Sequence, residues 1–157
     1  MKKLFFTVVL FASAFVQYSF AQDTAKTQPS PLLTSYFTLK DALVTSNANA
    51  AAASAVIFAK EVNVINKENL KNELRNALLS DVTAISQSRD LKLQRGKFAS
   101  LSTNMLAFAQ TVKLSGEPVY HQYCPMKKAS WLSNSKTIKN PYYGSAMLSC
   151  GSVKETL

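Results

Sequence analysis

The sequence is poor in the residues on which most enzymes and closed metal clusters depend. It has one histidine, His121, and two cysteines, Cys124 and Cys150. Two cysteines exclude a four-cysteine zinc or iron–sulfur site within one chain. One histidine excludes an HExxH helix, and no GxSxG, GxGxxG or Walker sequence occurs. A Cys124/His121 nucleophile pair lacks an evident orienting carboxylate nearby, and Pro125 with Met126 offers no recognisable oxyanion arrangement. Enzymatic activity is therefore not expected. Internal repeats and low-complexity tracts are absent as well.

Acidic residues are scarce: 9 Asp and Glu stand against 18 Lys and Arg. Long apolar runs are scarce too. The one run, Leu4 to Val16, follows Lys2 and Lys3 and precedes Ser19-Phe20-Ala21, the pattern of a cleavable secretory signal over residues 1–21. It is shorter than the ~20 apolar residues of a membrane span, and nothing later in the chain approaches that length. No cysteine follows it, so lipid attachment there is not expected. These features predict a periplasmic or secreted protein without a membrane span in its mature form. Export makes nucleic acid an improbable partner despite a formal net charge of +9, of which Lys2 and Lys3 leave with the signal. The remaining lysines, scattered among Ser, Asn and Thr, read as a solvated basic surface.

Residues 22–30 (QDTAKTQPS) are polar, aperiodic and proline-terminated, the composition of a flexible leader. A single domain over 31–157 follows, of ordinary size for one core. Its first part, 31–115, carries four amphipathic stripes. Ser30 and Pro31 open the first, with Leu32, Tyr36, Leu39 and Leu43 at helical spacing. Asn47 and Asn49 interrupt it. An alanine-rich helix from Ala48 to about Val64 follows, its stripe expected on Ala52, Val56, Ala59 and Val62. Asn66 is the expected cap of a third helix bearing Leu70, Leu74, Leu78, Val82 and Ile85. Ser88 and Asp90 open a fourth with Leu91, Phe98, Leu101, Met105, Phe108 and Val112, stopped near Lys113, Ser115 and Gly116. Short polar connections between four stripes predict a mainly α, antiparallel helical bundle.

After Gly116 the pattern changes. Pro118, Pro125, Pro141, Gly144 and Gly151 punctuate residues 116–157, and Tyr120, Tyr123, Trp131, Tyr142 and Tyr143 concentrate there. This is an irregular, short β-containing tail. Val119 to Tyr123 reads as a strand, Trp131-Leu132 as a packed anchor, and Ala146 to Cys150 as one helical turn or a second strand.

The tail also collects the soft ligands. His121, Cys124, Met126, Met147 and Cys150 all lie within YHQYCPM and AMLSC, whereas Met105 alone among the later candidates lies elsewhere. Extended backbone would place Cys124 and Met126 on one face, and a helical turn would do the same for Met147 and Cys150. His121, three residues before Cys124, would need a bulge or turn to join them. Thiolate and thioether donors beside an imidazole suit monovalent copper, with silver and zinc as alternatives, over calcium or magnesium. Trp131 could offer an indole face to a cation, though packing is its commoner use. The competing reading is a Cys124–Cys150 disulfide, ordinary in an exported protein and worth about 3.5 kcal/mol in the chain-entropy model. Core filling is likewise the commonest use of methionine.

The segments VYHQYCPM and SWLSNSKTIKNPYYGSAMLSCGSVKET, with YFTLKDALVTSNANAAAASA near the start, resemble an uncharacterised exported domain family. Its tail signature is CPM, then WLS, then an NPY-F/Y-G-x-x-M-x-x-C-G run, and its members occur alone or fused to periplasmic adaptor subunits of copper/silver efflux pumps. The resemblance spans about residues 31–157 and carries over Cys124, Pro125, Met126, Trp131, Asn140, Pro141, Tyr142, Gly144, Met147, Cys150 and Gly151. His121 lies outside the core pattern. It implies heavy-metal handling, with any pump adaptor engaged in trans. The sequence thus predicts an exported copper- or silver-binding protein acting in metal buffering, delivery or efflux. Its rival is a non-enzymatic structural or interaction bundle whose tail is stapled by the two cysteines.

Overall fold

A computed structural model describes residues 29–157, so the expected signal and nearly all of the leader fall outside the described residues. Ser30 accepts the Leu33 N–H at 3.2 Å and starts α1, Pro31–Val44, with Pro31 where its missing N–H costs nothing. Asn47 accepts the Ala50 N–H at 2.9 Å and starts α2, Ala48–Val64. Helix α3 spans Asn72–Gln87, and α4, Leu91–Thr111, begins where Asp90 accepts the Lys92 N–H at 2.8 Å. Consecutive helices pack against one another, giving the mainly α bundle that four stripes predict.

Three details differ from expectation. Asn66 does not cap α3. Its Oδ1 accepts the Glu68 N–H at 3.1 Å and its carbonyl the Leu70 N–H at 3.1 Å, closing a turn that buries Leu70 ahead of the helix. The buried face of α2 carries Ala51, Ala52, Ala55, Phe58 and Val62, so Ala52 and Val62 turn inward as expected, while Val56 is 47% exposed. In a run of alanines every face is similarly apolar, and the large Phe58 ring decides which one turns inward. Helix α4 stops at Thr111 because Val112 is already extended, so Gly116 is no part of its cap.

Beyond the helices, β1 (Tyr120–Cys124), β2 (Ala129–Ser133) and β3 (Ser152–Thr156) form an antiparallel sheet in the order β2-β1-β3. The expected first strand is displaced by one residue, and Trp131-Leu132 is the middle of β2. A short 3-10 turn, Gly144–Met147, precedes β3. Gln122, Cys124 and Trp131 lie on one sheet face, and His121, Tyr123, Ser130 and Leu132 on the other, as the pairings Gln122–Trp131 and His121–Leu132 require.

Tyr36 joins bundle and sheet. Its fully buried hydroxyl lies 2.6 Å from Ser102 Oγ of α4 and accepts the Leu132 N–H at 3.2 Å. Its ring stacks on Phe98 at 5.3 Å, and Phe98 meets Tyr142 at 5.9 Å, so one aromatic column runs from α1 into the tail. Among the described residues no helix is long and apolar enough to cross a membrane.

Candidate functional site

The tail brings two of the five candidate ligands into contact. Cys124 ends β1 and Cys150 precedes β3, 26 residues later, yet their Sγ atoms are 2.8 Å apart. Two local structures produce this meeting. The first is the turn Pro125–Lys128 that joins β1 to β2, closed through Lys128 in the left-handed region at φ 55°. With proline at its first position, the next two N–H groups, of Met126 and Lys127, hydrogen-bond back to the Cys124 sulfur. The Met126 N–H also reaches Cys150.

The second is a knot around Asn140, which is fully buried. Its Oδ1 accepts the Tyr142 N–H at 2.8 Å, an Asx-turn fitted to the following Pro141. Its Nδ2 donates to the Cys150 carbonyl at 2.8 Å, and its side chain also reaches the Cys124 sulfur. Its N–H donates to the Leu148 carbonyl at 2.8 Å. The knot is docked on the bundle by Arg95, whose Nε donates to the Pro141 carbonyl at 3.0 Å and whose Nη2 reaches Leu43 O and Ser46 Oγ. Gly144 passes through this contact at φ 57°, where an added Cβ would lie 2.7 Å from Ser46 Oγ and 2.8 Å from Arg95 Nη2. Gly151 sits under Trp131, leaving room for its ring.

The two thiols differ. Burial works to raise the Cys124 thiol, but hydrogen bonds from Cys150, the Lys127 N–H, Asn140 and the Met126 N–H outweigh it and hold the thiol below its ordinary range. The hydrogen bond to Cys124, then burial, then the neighbouring sulfur's charge push Cys150 the other way. A stabilised thiolate is what both metal binding and thiol exchange use. The 2.8 Å contact lies between the ~2.05 Å of a disulfide and the ~3.8 Å that bonds of about 2.3 Å impose on two sulfurs of a tetrahedral ion.

The other candidates stand apart from this contact in different ways. Met126 occupies the turn instead of an extended segment and is 66% exposed, and Met147, at the end of the 3-10 turn, is 36% exposed. The Cys150 N–H donates to the Met147 carbonyl at 3.1 Å, so these two remain one turn apart as expected. His121 is on the opposite sheet face. A bulge follows it in the pairing with β3, yet its Nδ1 lies 3.0 Å from Glu155 Oε1 and its Nε2 2.8 Å from Ser130 Oγ, which engages both ring nitrogens. Trp131 is buried in a T-shaped contact with Tyr142 at 5.9 Å and acts as the tail's packing anchor. Among the described residues no group of three or more His, Cys, Asp or Glu is spaced to hold a metal ion. A metal at the thiols would therefore depend on thioethers or on a small coordination number.

Asn140, the Lys127 N–H and Arg95 are contributors that spacing alone does not single out as parts of the site. The Asn140-Pro141 dipeptide, within the NPYYG run that the sequence already marks, is the signal that points to the knot.

No curated protein and no solved structure matches the chain. Residues 32–117 match the family described as protein of unknown function (DUF3347). The matched segment ends before β1, so both thiols lie outside it. It nevertheless takes in all four helices and more than half of the sequence, and on that ground the chain belongs to the DUF3347 family.

Proposed function

We propose that this is an exported, non-enzymatic soft-metal-binding protein, taking monovalent copper or silver at the tail for buffering, delivery or efflux. The observation that carries the reading is the meeting of Cys124 and Cys150 at 2.8 Å, with backbone N–H groups aimed at the buried sulfur. Such donors stabilise thiolate, the form that binds soft ions. Cys124 and Cys150 are the primary donors in this proposal. Met126 and Met147, exposed beside them in the chain, supply thioethers that suit monovalent copper better than zinc. His121, held by Glu155 and Ser130, is at most a fifth ligand that must first leave both partners. The likeness of the tail to domains fused to periplasmic efflux adaptors supports an adaptor of that class as the partner in trans, and the basic N-terminus supports export.

Titration of reduced mature protein with monovalent copper against a competing chelator tests this. Cys124→Ser is expected to weaken binding by more than about 100-fold, beyond the 10–100-fold usual for outer-shell partners. Met147→Leu should weaken it less. Unchanged affinity in both variants sinks the site.

The same 2.8 Å contact favours a second reading, a structural or interaction module whose tail is stapled by a Cys124–Cys150 disulfide. Intact mass with and without reductant after extraction from the native compartment separates the two. A fully oxidised pair without metal uptake supports the staple.

A further inference from the structure

Cys124 is completely buried, enclosed by the turn Pro125–Lys128 and by Asn140. Cys150 is half-buried, at the end of a stretch, residues 145–149, in which every residue is exposed. An outside reagent can therefore reach only one of the two sulfurs. We infer that Cys124 and Cys150 form a stoichiometric thiol–disulfide exchange site of fixed polarity, in which external thiols and disulfides meet Cys150 and Cys124 acts only from inside.

In the oxidising direction the Cys150 thiolate attacks one sulfur of an external disulfide. A mixed disulfide forms on Cys150 and the first external thiolate leaves. The Cys124 thiolate, already against Cys150, then attacks the Cys150 sulfur, closing the internal disulfide and releasing the second external thiolate. The protein's two thiols give up two protons and two electrons, and the external disulfide becomes two thiols. In the reducing direction an external dithiol attacks Cys150. Cys124 is expelled as a thiolate into the N–H groups of Met126 and Lys127 and the amide of Asn140. The dithiol's second sulfur then attacks its first, closing the reagent's own disulfide and releasing Cys150 as a thiolate, so that the protein gains the two electrons and two protons that the dithiol gives up. A leaving sulfur whose anion is stabilised departs faster, so the donors sit on the side of the bond that this polarity requires.

The surroundings of Cys150 suit such an approach. Met126, Met147 and Leu148 give an exposed apolar lip, and Lys127 and Lys128, exposed in the turn, add positive charge that favours anionic thiols. The inference does not require metal binding, although an internal disulfide would remove the two donors on which that reading rests.

The test uses reduced mature protein with a chelator present. Labelling of the wild-type protein with substoichiometric N-ethylmaleimide, followed by peptide mapping, should favour Cys150 over Cys124 by about tenfold or more, since reactivity follows access as well as thiolate character. With glutathione disulfide the wild-type protein should lose two hydrogens in mass and retain no glutathione. Cys124→Ser should retain one glutathione on Cys150, and Cys150→Ser should react about tenfold more slowly. Equal labelling, preferred labelling of Cys124, or a wild-type protein that keeps glutathione overturns the polarity. The labelling arm needs no variant, so a misfolded mutant does not remove the test. Exchange as expected without copper uptake would sink the metal reading alone, and copper uptake with equal labelling would sink this one alone.

Discussion

Between Pro31 and Thr111 the chain is held by side chains that face each other along helical stripes: Leu33, Leu39 and Leu43, then Ala51, Ala55 and Phe58, then Leu78, Val82 and Ile85, then Phe98, Leu101 and Met105. Between Tyr120 and Thr156 apolar burial is sparse, and β3 is exposed along its whole length. There the order comes from individual polar and sulfur contacts: Asn140 to Cys150, Arg95 to Pro141, Tyr142 to the Ser130 carbonyl, Cys124 to Cys150. A stripe loses a fraction of its stabilisation when one member is trimmed. A knot loses its geometry when one hydrogen bond goes, because the group left behind is buried and unpaired. The tail is therefore the region where one substitution can change a site without unfolding the molecule.

The comparison breaks first at the aromatic column, where both regions share one element. Phe98→Ala should cost about 3–5 kcal/mol, as large-to-small core changes do. It should lower the unfolding midpoint read by helical circular dichroism and by the fluorescence of Trp131, the single tryptophan, together. If only the helical signal moves, Phe98 does not couple the tail to the bundle.

Gly144→Ala should separate the regions instead. Its Cβ would meet Ser46 Oγ, Arg95 Nη2 and the Val44 carbonyl, and its φ of 57° costs a non-glycine residue about 1–2 kcal/mol. The expected result is a shifted Trp131 emission and faster alkylation of Cys150 while the helical midpoint stays nearly in place. A uniform loss of stability would show that the tail has no independence.

The smallest effect lies inside the bundle, at a position built like the tail. Asp81 is buried, and desolvation raises its carboxyl above the usual range against a hydrogen bond from Ser100 and the charge of Lys97. A raised folded-state value means that this group adds stability below the ordinary carboxylate range and loses it as pH rises through the folded value. Asp81→Asn should therefore raise the denaturation midpoint at pH 7, and the gain should shrink as pH falls. The change should stay under about 1 kcal/mol, because the lost ion pair to half-exposed Lys97 is weak. A gain that grows on acidification would reverse the assignment.

Legibility in the sequence follows the same division. Ser30 and Asp90 mark helix starts because a capping oxygen acts on N–H groups two or three residues away, and nothing distant intervenes. Asn66 misleads because the same local chemistry also closes a turn, and packing of Leu70 selects the turn. The alanine run of α2 hides its inward face, since residues of one size carry no periodic contrast. Strand β3, SVKET, is invisible by pattern: it has no buried face, and it exists because β1 offers it a hydrogen-bonding edge. Cys124, Met126, Met147 and Cys150 are recognisable as candidates by residue type. Which of them touch depends on a turn and an Asn140 knot assembled from segments up to 26 residues apart.

The sequence by itself determined the helical class, most of the caps, the change of character near Gly116 and the gathering of soft ligands in the tail, all of which follow from local chemistry and short periodicities. Only the tertiary structure decided that Cys124 and Cys150 meet, that His121 turns to Glu155 and Ser130 on the other sheet face, and that one thiol is buried while the other is within reach of solvent. Those outcomes depend on sheet register and on the docking of Arg95 and Gly144 against the bundle, which no short window of residues contains.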